Sequence, residues 1–421
     1  MQKTPKSLRL QIGLFGRTNV GKSSFLNLVA NQAAAITSPV PGTTTDVVEK
    51  VMELLPLGPI VLLDTAGLDD TGALGSERIR ASRAVFDRAD VVAIVCETQR
   101  WDGVEHDIIR QAQERKSPVI AIINKADQAP PSEEFIEAVR ATGVDQILTC
   151  SSTDLERRED TLSEFKRALI ACCPEDFIRP PPLIGDLLRP GGLVAMVVPI
   201  DLQAPKGRLI LPQVMSIRDA LDNDAAALVV KEREYAHMLA NLRTPPDLAV
   251  CDSQVVMKMV ADTPPDVKCT TFSILFSRLK GDLQEMARGA AAIDGLRAGD
   301  RILIAESCSH HAAEDDIGRV KIPRWLRQYV GMELQVDTYA GRDFPENVGD
   351  YRLIIHCGAC MTNRREMLSR IQLARRAGVP ITNYGICISL VQGVLKRALA
   401  PFPAALDAFN REQQKQRKSR A

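Results

Sequence analysis

The stretch Gly16-Arg-Thr-Asn-Val-Gly-Lys-Ser23 constrains this chain more than any other, because an apolar run over 8–15 leads into it and a helix-compatible run over 24–31 follows. Strand, glycine-rich loop and helix in that order make a phosphate cradle. Backbone N–H groups of the loop wrap the anion, and the helix turns its positive end toward it. Lys22 is expected to reach the β- and γ-phosphates and the Ser23 hydroxyl to ligate Mg²⁺, with Gly16, Gly21 and Ser24 completing the cradle. The motif predicts an α/β fold.

Further segments arrive in a telling order. Asp64-Thr-Ala-Gly67 closes the apolar run 60–63, which places Asp64 near Mg²⁺ and the Gly67 N–H near the γ-phosphate. Asn124-Lys125-Ala-Asp127 closes the run 119–123, and the Asp127 carboxylate suits the N1–H and exocyclic amine of guanine, a pair that adenine lacks. Ser151-Ser152 follows the run 146–150 and fits a loop contacting the guanine O6. Pro41-Gly-Thr-Thr-Thr-Asp46 lies where a switch threonine, Thr44, is expected on Mg²⁺. A second switch is expected over 69–82, with Gly72 and Gly75 giving it mobility. Five motifs in register predict a domain over 1–175 that binds GTP or GDP with Mg²⁺ and hydrolyses GTP.

The set resembles the Era/TrmE-like branch of GTPases. By that resemblance Asn19 helps to coordinate a K⁺ ion beside the phosphates. Leu68 stands where Ras-like proteins carry a catalytic glutamine, so K⁺ is expected to offset the charge that develops in hydrolysis. The catalytic set is then Lys22, Asn19, Thr44 and Gly67.

A chain of 421 residues has room for two to four domains. Its 53 basic and 53 acidic residues cancel, which speaks against a large nucleic-acid surface. No run of eighteen apolar residues appears, so no membrane span is expected, and the basic N-terminus runs into a motif-bearing strand as no cleavable leader would. Ten cysteines without a leader point to a reducing cytoplasm rather than to disulfides. Cys96, Cys150, Cys172, Cys173, Cys251, Cys269 and Cys387 are assigned to core packing.

Arg179-Pro-Pro-Pro182 is a stiff boundary. Beyond it, strands are expected at 192–200, 208–211, 225–230 and 247–251, alternating with helices at 213–222, 231–242 and 252–262. That alternation implies a small, mainly parallel sheet over 183–265, with no catalytic constellation and with His237 solvated. The run 193–200 is expected at a sheet edge, pairing with a second copy to make a homodimer. A last α/β domain follows over 266–400. It has a long helix at 270–291, strands at 301–305, 333–337 and 351–355, and helices at 362–377 and 386–398. The charged tail over 401–421, basic from 411 to 420, is expected to be solvated.

The ends of two strands in that last domain carry Cys308-Ser-His310 and His356-Cys357-Gly-Ala-Cys360. Three thiols and two imidazoles brought together there suit a Cys₃His zinc site or an iron–sulfur cluster, and a redox dithiol is the plainer alternative. A GTPase of this branch followed by C-x-H and, after 45 intervening residues, by H-C-x-x-C resembles the HydF family, the GTPase maturation scaffolds of FeFe-hydrogenase. Thr270-Thr-Phe-Ser-Ile-Leu-Phe-Ser-Arg-Leu-Lys-Gly-Asp282 also resembles that family. The resemblance implies a GTPase domain, a dimerisation domain and a domain binding a 4Fe–4S cluster on Cys308, Cys357 and Cys360. It further implies that a diiron subcluster precursor is carried beside the cluster, delivered to apo FeFe-hydrogenase and supplied by radical-SAM maturases. The fourth cluster ligand stays open among His310, His356, Glu314, Asp315 and an exogenous group, His356 being equally suited to orient its neighbours. GTP is expected to switch partner binding rather than to power cluster chemistry. Two rival readings are a GTPase of tRNA modification or ribosome assembly, and a GTPase tethered to a zinc-stabilised interaction module.

Overall fold

Short apolar runs separated by polar helical segments build buried parallel strands, and this chain does so three times. The computed structural model describes residues 5–30, 47–68, 75–179, 181–199, 209–307, 316–341, 344–345 and 347–418. They form two compact units, 1–180 and 181–421.

In the first unit, six strands are β1 (Leu10–Phe15), β2 (Val48–Leu54), β3 (Gly58–Asp64), β4 (Val91–Glu97), β5 (Val119–Asn124) and β6 (Gln146–Thr149). They lie in the order β2-β3-β1-β4-β5-β6. β2 runs antiparallel to β3, and the other pairs are parallel. Every residue of β1 and β5 is buried, as helices on both faces require. Those helices are α1 (Lys22–Ala30), α2 (Gly75–Arg88), α3 (Gly103–Glu114), α4 (Glu133–Ala141) and α5 (Arg158–Cys172), with the short α6 (Glu175–Ile178) after them. Phe25 meets Phe165 edge-on beneath one face, and Phe15 stacks on Phe86 beneath the other. The expected second switch is helical from Gly75 onward, and its residues 69–74 lie outside the described residues.

The second unit holds two four-stranded sheets, each wholly parallel. Strands β7 (Leu193–Val197), β8 (Ala226–Val230), β9 (Leu248–Cys251) and β10 (Lys268–Thr271) lie in the order β10-β9-β7-β8. Strands β11 (Arg301–Ala305), β12 (Gln335–Tyr339), β13 (Leu353–His356) and β14 (Ile381–Asn383) lie in the order β12-β11-β13-β14. The helices of the first sheet are α7 (Leu211–Asp222), α8 (Tyr235–Asn241) and α9 (Val256–Asp262). After them come α10 (Phe272–Lys280), α11 (Leu283–Ala290), α12 (Ile322–Val330), α13 (Arg364–Arg376), α14 (Tyr384–Val391), α15 (Leu395–Leu399) and α16 (Pro403–Lys418). α10 packs on α7 as well as on α13 and α14, and one hydrophobic core runs from Leu183 to Phe409 through both sheets.

Several sequence expectations need correction. The run at 193–200 is not an edge strand: β7 lies between β9 and β8, and the edges of this sheet are β10 and β8. Uniform apolarity in a parallel sheet marks a central strand, as the fully buried stretch Val194–Val197 shows. The boundary placed at 265 cuts through a sheet, since β10 pairs with β9. The long helix at 270–291 is a strand and two helices. β-branched Thr270 and Thr271 extend the chain, and Gly281-Asp282 breaks the helix, Asp282 capping α11 through the Glu285 N–H at 3.0 Å. The strand expected at 208–211 does not form over its described residues: 209 and 210 have no regular structure, and α7 opens at Leu211. The tail is α16 up to Lys418, and its Ala405 and Phe409 are buried.

Candidate functional site

The phosphate loop lies between β1 and α1. Gly21 has φ +96°, and a Cβ there would stand 2.3 Å from the Asn124 amide nitrogen. A Cβ on Gly67 would clash with Thr18 Oγ1, so the Asp64–Gly67 segment presses closely against the loop. Asn19 adopts a left-handed backbone, φ 64°, at the loop's tip. Lys22 Nζ donates to Gly16 O at 3.1 Å and Arg17 O at 2.7 Å, lying across the carbonyls that line the cradle. Ser23 Oγ donates to Asp64 Oδ2 at 2.6 Å, while Asp64 Oδ1 is buried without a hydrogen-bond partner. Burial pushes the Asp64 carboxyl above its ordinary range, against the Ser23 hydrogen bond and the Lys22 charge. A hydroxyl and an orphaned carboxylate oxygen side by side fit a hard divalent cation such as Mg²⁺.

Asn124 joins this loop to the base-recognition side. Its Nδ2 donates to Val20 O at 2.9 Å, and its Oδ1 accepts from Ser152 N and Ser152 Oγ, both at 2.9 Å. Lys125 pairs with Glu97, Asp127 is exposed, and the exposed Ser23 and Ser24 open α1. Ser151 Oγ lies 3.1 Å from Thr153 Oγ1. Sequence reading overlooked Arg17. Nearly buried, it pairs with Glu105 at 3.0 Å and with Asp102, the two residues of the capping box that starts α3. The Asp-x-x-Glu spacing made the cap legible but not its Arg17 partner. Thr44 lies outside the described residues.

The second site lies where β13 ends. β11 and β13 are adjacent and in register, Ala305 opposite His356, so residues following both strands emerge together. Ser307 N donates to Cys357 Sγ at 3.1 Å, Cys357 Sγ–H lies 3.3 Å from Ser307 Oγ, and Thr362 Oγ1 donates to Ser307 Oγ. Cys357 and Cys360 are half-buried on one loop, in which Ala359 takes φ 56°. Burial, then Cys357, pushes the Cys360 thiol up. Cys308, His310, Glu314 and Asp315 lie outside the described residues, but their flanks are tied: Glu306, nearly buried, pairs with Arg319 at 2.9 Å. Among the described residues no three His, Cys, Asp or Glu side chains form a metal-sized group. The two thiols nonetheless fit a thiolate-held cluster, since a backbone N–H points at one sulfur as N–H groups do at cluster sulfurs.

His356 is fully buried. Its Nδ1 lies 2.9 Å from Cys357 O and its Nε2 3.0 Å from Arg370 Nη1. A guanidinium only donates, so Nε2 accepts and Nδ1 carries the proton. Burial and the Arg370 charge push the imidazole down to about 3. Lys280 lies under the cysteine loop, donating to Ala359 O and Cys360 O at 3.1 Å each and to Thr362 O at 2.8 Å; burial pushes it down to about 8. The other cysteines behave as packing residues: Cys96, Cys150, Cys251, Cys269 and Cys387 are buried, and Cys172 and Cys173 are half-buried. Among the described residues no helix is long and apolar enough to cross a membrane.

Comparison with known proteins separates the two units. Residues 11–125 match the 50S ribosome-binding GTPase family. The tRNA modification GTPase MnmE of Ruegeria pomeroyi is 36% identical over 152 residues, covering 36% of this chain and 33% of that protein. MnmE of a Synechococcus strain is 40% identical over 127 residues, covering 29% of this chain and 26% of that protein. The chain thus spans a third or less of the length of these curated relatives. Among solved structures, Era from Aquifex aeolicus bound to GDP.AlF4- gives a TM-score of 0.33 at 19% identity, covering 52% of this chain and 93% of that one. The G domain of the T. maritima FeoB iron transporter gives 0.29 at 22% identity, covering 37% and 98%. Residues 183–281 match the hydrogen maturase F dimerization domain, and residues 284–401 match its tetramerization domain. Both follow a GTPase domain in one polypeptide, and the chain therefore belongs to the hydrogen maturase F type of hydrogenase maturation GTPases.

Proposed function

We propose that this protein is a GTP-hydrolysing scaffold that holds a 4Fe–4S cluster on Cys308, Cys357 and Cys360, carries a diiron subcluster precursor beside it and delivers that precursor to apo FeFe-hydrogenase. The observation that carries the reading is the meeting of the β11 and β13 ends. There the residue just before Cys308, Ser307, already touches Cys357 Sγ within a domain of the hydrogen maturase F type. Three thiolates would grip a cluster while leaving one iron free to exchange its ligand. With both nitrogens of His356 engaged inside the protein, its role here is to orient Cys357 through the carbonyl it holds. That leaves His310, Glu314, Asp315 or an exogenous group for the remaining iron. Radical-SAM maturases would supply the precursor.

In the first unit Lys22 would bind the phosphates and Ser23, Asp64 and Thr44 the Mg²⁺. Gly67 would offer its N–H to the γ-phosphate, and Asp127 would select guanine. Asn19, at the loop's tip, would hold K⁺. Hydrolysis would change the affinity of the scaffold for its partners.

The test is anaerobic purification followed by iron, sulfide and zinc analysis and by EPR after dithionite reduction. The expected result is about four irons and four sulfides per chain, with the reduced signal lost in Cys357→Ser. Zinc without sulfide would overturn the cluster reading.

A further inference from the structure

Lys280 closes α10 inside the sequence Thr270–Asp282, and nothing in nucleotide binding or thiolate ligation uses it. Only 2% of it is exposed. All three of its N–H donors are spent on neutral carbonyls of the cysteine loop, those of Ala359, Cys360 and Thr362. The ionisable groups it faces are Cys360 first, Cys357 next and Glu366 last, and Glu366 is engaged by Arg370 at 2.7 Å. Removing an ammonium from water without a carboxylate beside it is unfavourable, and the fold tolerates it where a negative charge arrives opposite. The loop shows the same provision. Ala359 has a left-handed φ of 56°, a conformation costly for a residue with a Cβ, and Lys280 holds the carbonyl of that residue.

We propose that Lys280 is a positioning residue for an anionic metal–thiolate group on Cys357 and Cys360, fixing the loop through three carbonyls and raising the reduction potential of the group with a buried positive charge. The inference rests on the cluster reading. Reduction adds one electron, hence one negative charge, to the group. In a low-dielectric setting a nearby cation stabilises that reduced form more than the oxidised one.

The test uses the full-length protein reconstituted anaerobically with ferrous iron and sulfide. Iron and sulfide content and the midpoint potential, from an EPR-monitored dithionite titration, are compared for wild type, K280M, K280Q and K280R. Expected is a cluster retained in all four, a lower midpoint in K280M and K280Q, and a midpoint restored in K280R. A cluster intact in K280M at an unchanged potential overturns the proposal and leaves the cluster reading standing. Wild type that takes up neither iron nor sulfide overturns the cluster reading, and this proposal with it. If K280M and K280Q lose the cluster, K280R decides: retention at the wild-type potential sustains the requirement for charge, and loss in all three overturns it.

Discussion

Arg370 donates to His356 Nε2 at 3.0 Å from an adjacent helix, and the imidazole it reaches is fully buried. The pair fixes which nitrogen carries the proton and points the Nδ1–H at the Cys357 carbonyl. His356→Ala should therefore destabilise the second unit by about 1–3 kcal/mol, because it leaves one buried N–H of Arg370 without its acceptor while the pair with Glu366 stays. His356→Asn, reconstituted with iron and sulfide, should keep the wild-type EPR g-values. Altered g-values in His356→Asn would show the imidazole to be a ligand after all.

The proposed guanine selection rests on Asp127, exposed three residues past the end of β5. Asp127→Ala removes an acceptor of two charge-assisted hydrogen bonds, each worth about 1.5–3 kcal/mol. Affinity for a fluorescent GTP analogue should fall by about a hundredfold or more while Tm holds. A loss below about threefold would place base recognition elsewhere.

Asn19, left-handed at the tip of the phosphate loop, should make hydrolysis depend on K⁺. Steady-state phosphate release in KCl should exceed that in NaCl by about tenfold, a barrier difference of about 1.4 kcal/mol. Asn19→Ala should abolish the difference. Equal wild-type rates in the two salts would refute the K⁺ role.

β8 is one of the two edge strands of the first small sheet, and its Val229 is 41% exposed. Val229→Lys should lower the oligomeric state seen in light scattering by at least one step, since lysine on an edge disfavours strand addition. An unchanged mass would move the self-association surface off this edge.

Phe409 of α16 is 1% exposed in the shared core of the second unit. Phe409→Ala should destabilise that unit by about 3–5 kcal/mol in denaturant titration. A change below about 1 kcal/mol would mean that the terminal helix is only loosely attached.

The placement of the nucleotide motifs was legible because it is local: Gly16 to Ser23, Asp64 and Asp127 each sit in the strand–loop context their short motifs imply. That Cys357 directly follows a buried strand was legible for the same reason. What escaped was long-range. Arg17 meets Glu105 from 88 positions away, and Lys280 meets Ala359 from 79 away; no spacing rule connects such partners. β7 was misplaced at an edge because an apolar run reports burial but not which neighbours supply it. α16 was missed because Ala405 and Phe409 are a sparse apolar face in a strongly charged segment.

The single core beneath both small sheets has a mechanical consequence. α10 leaves the end of β10 and finishes under the cysteine loop, so neither sheet has a hinge of its own against the other. Two copies joined along β8 would hold their cysteine loops at one fixed span, as two jaws of a rigid frame. If the proposed delivery holds, an acceptor protein would have to meet that spacing rather than bend it.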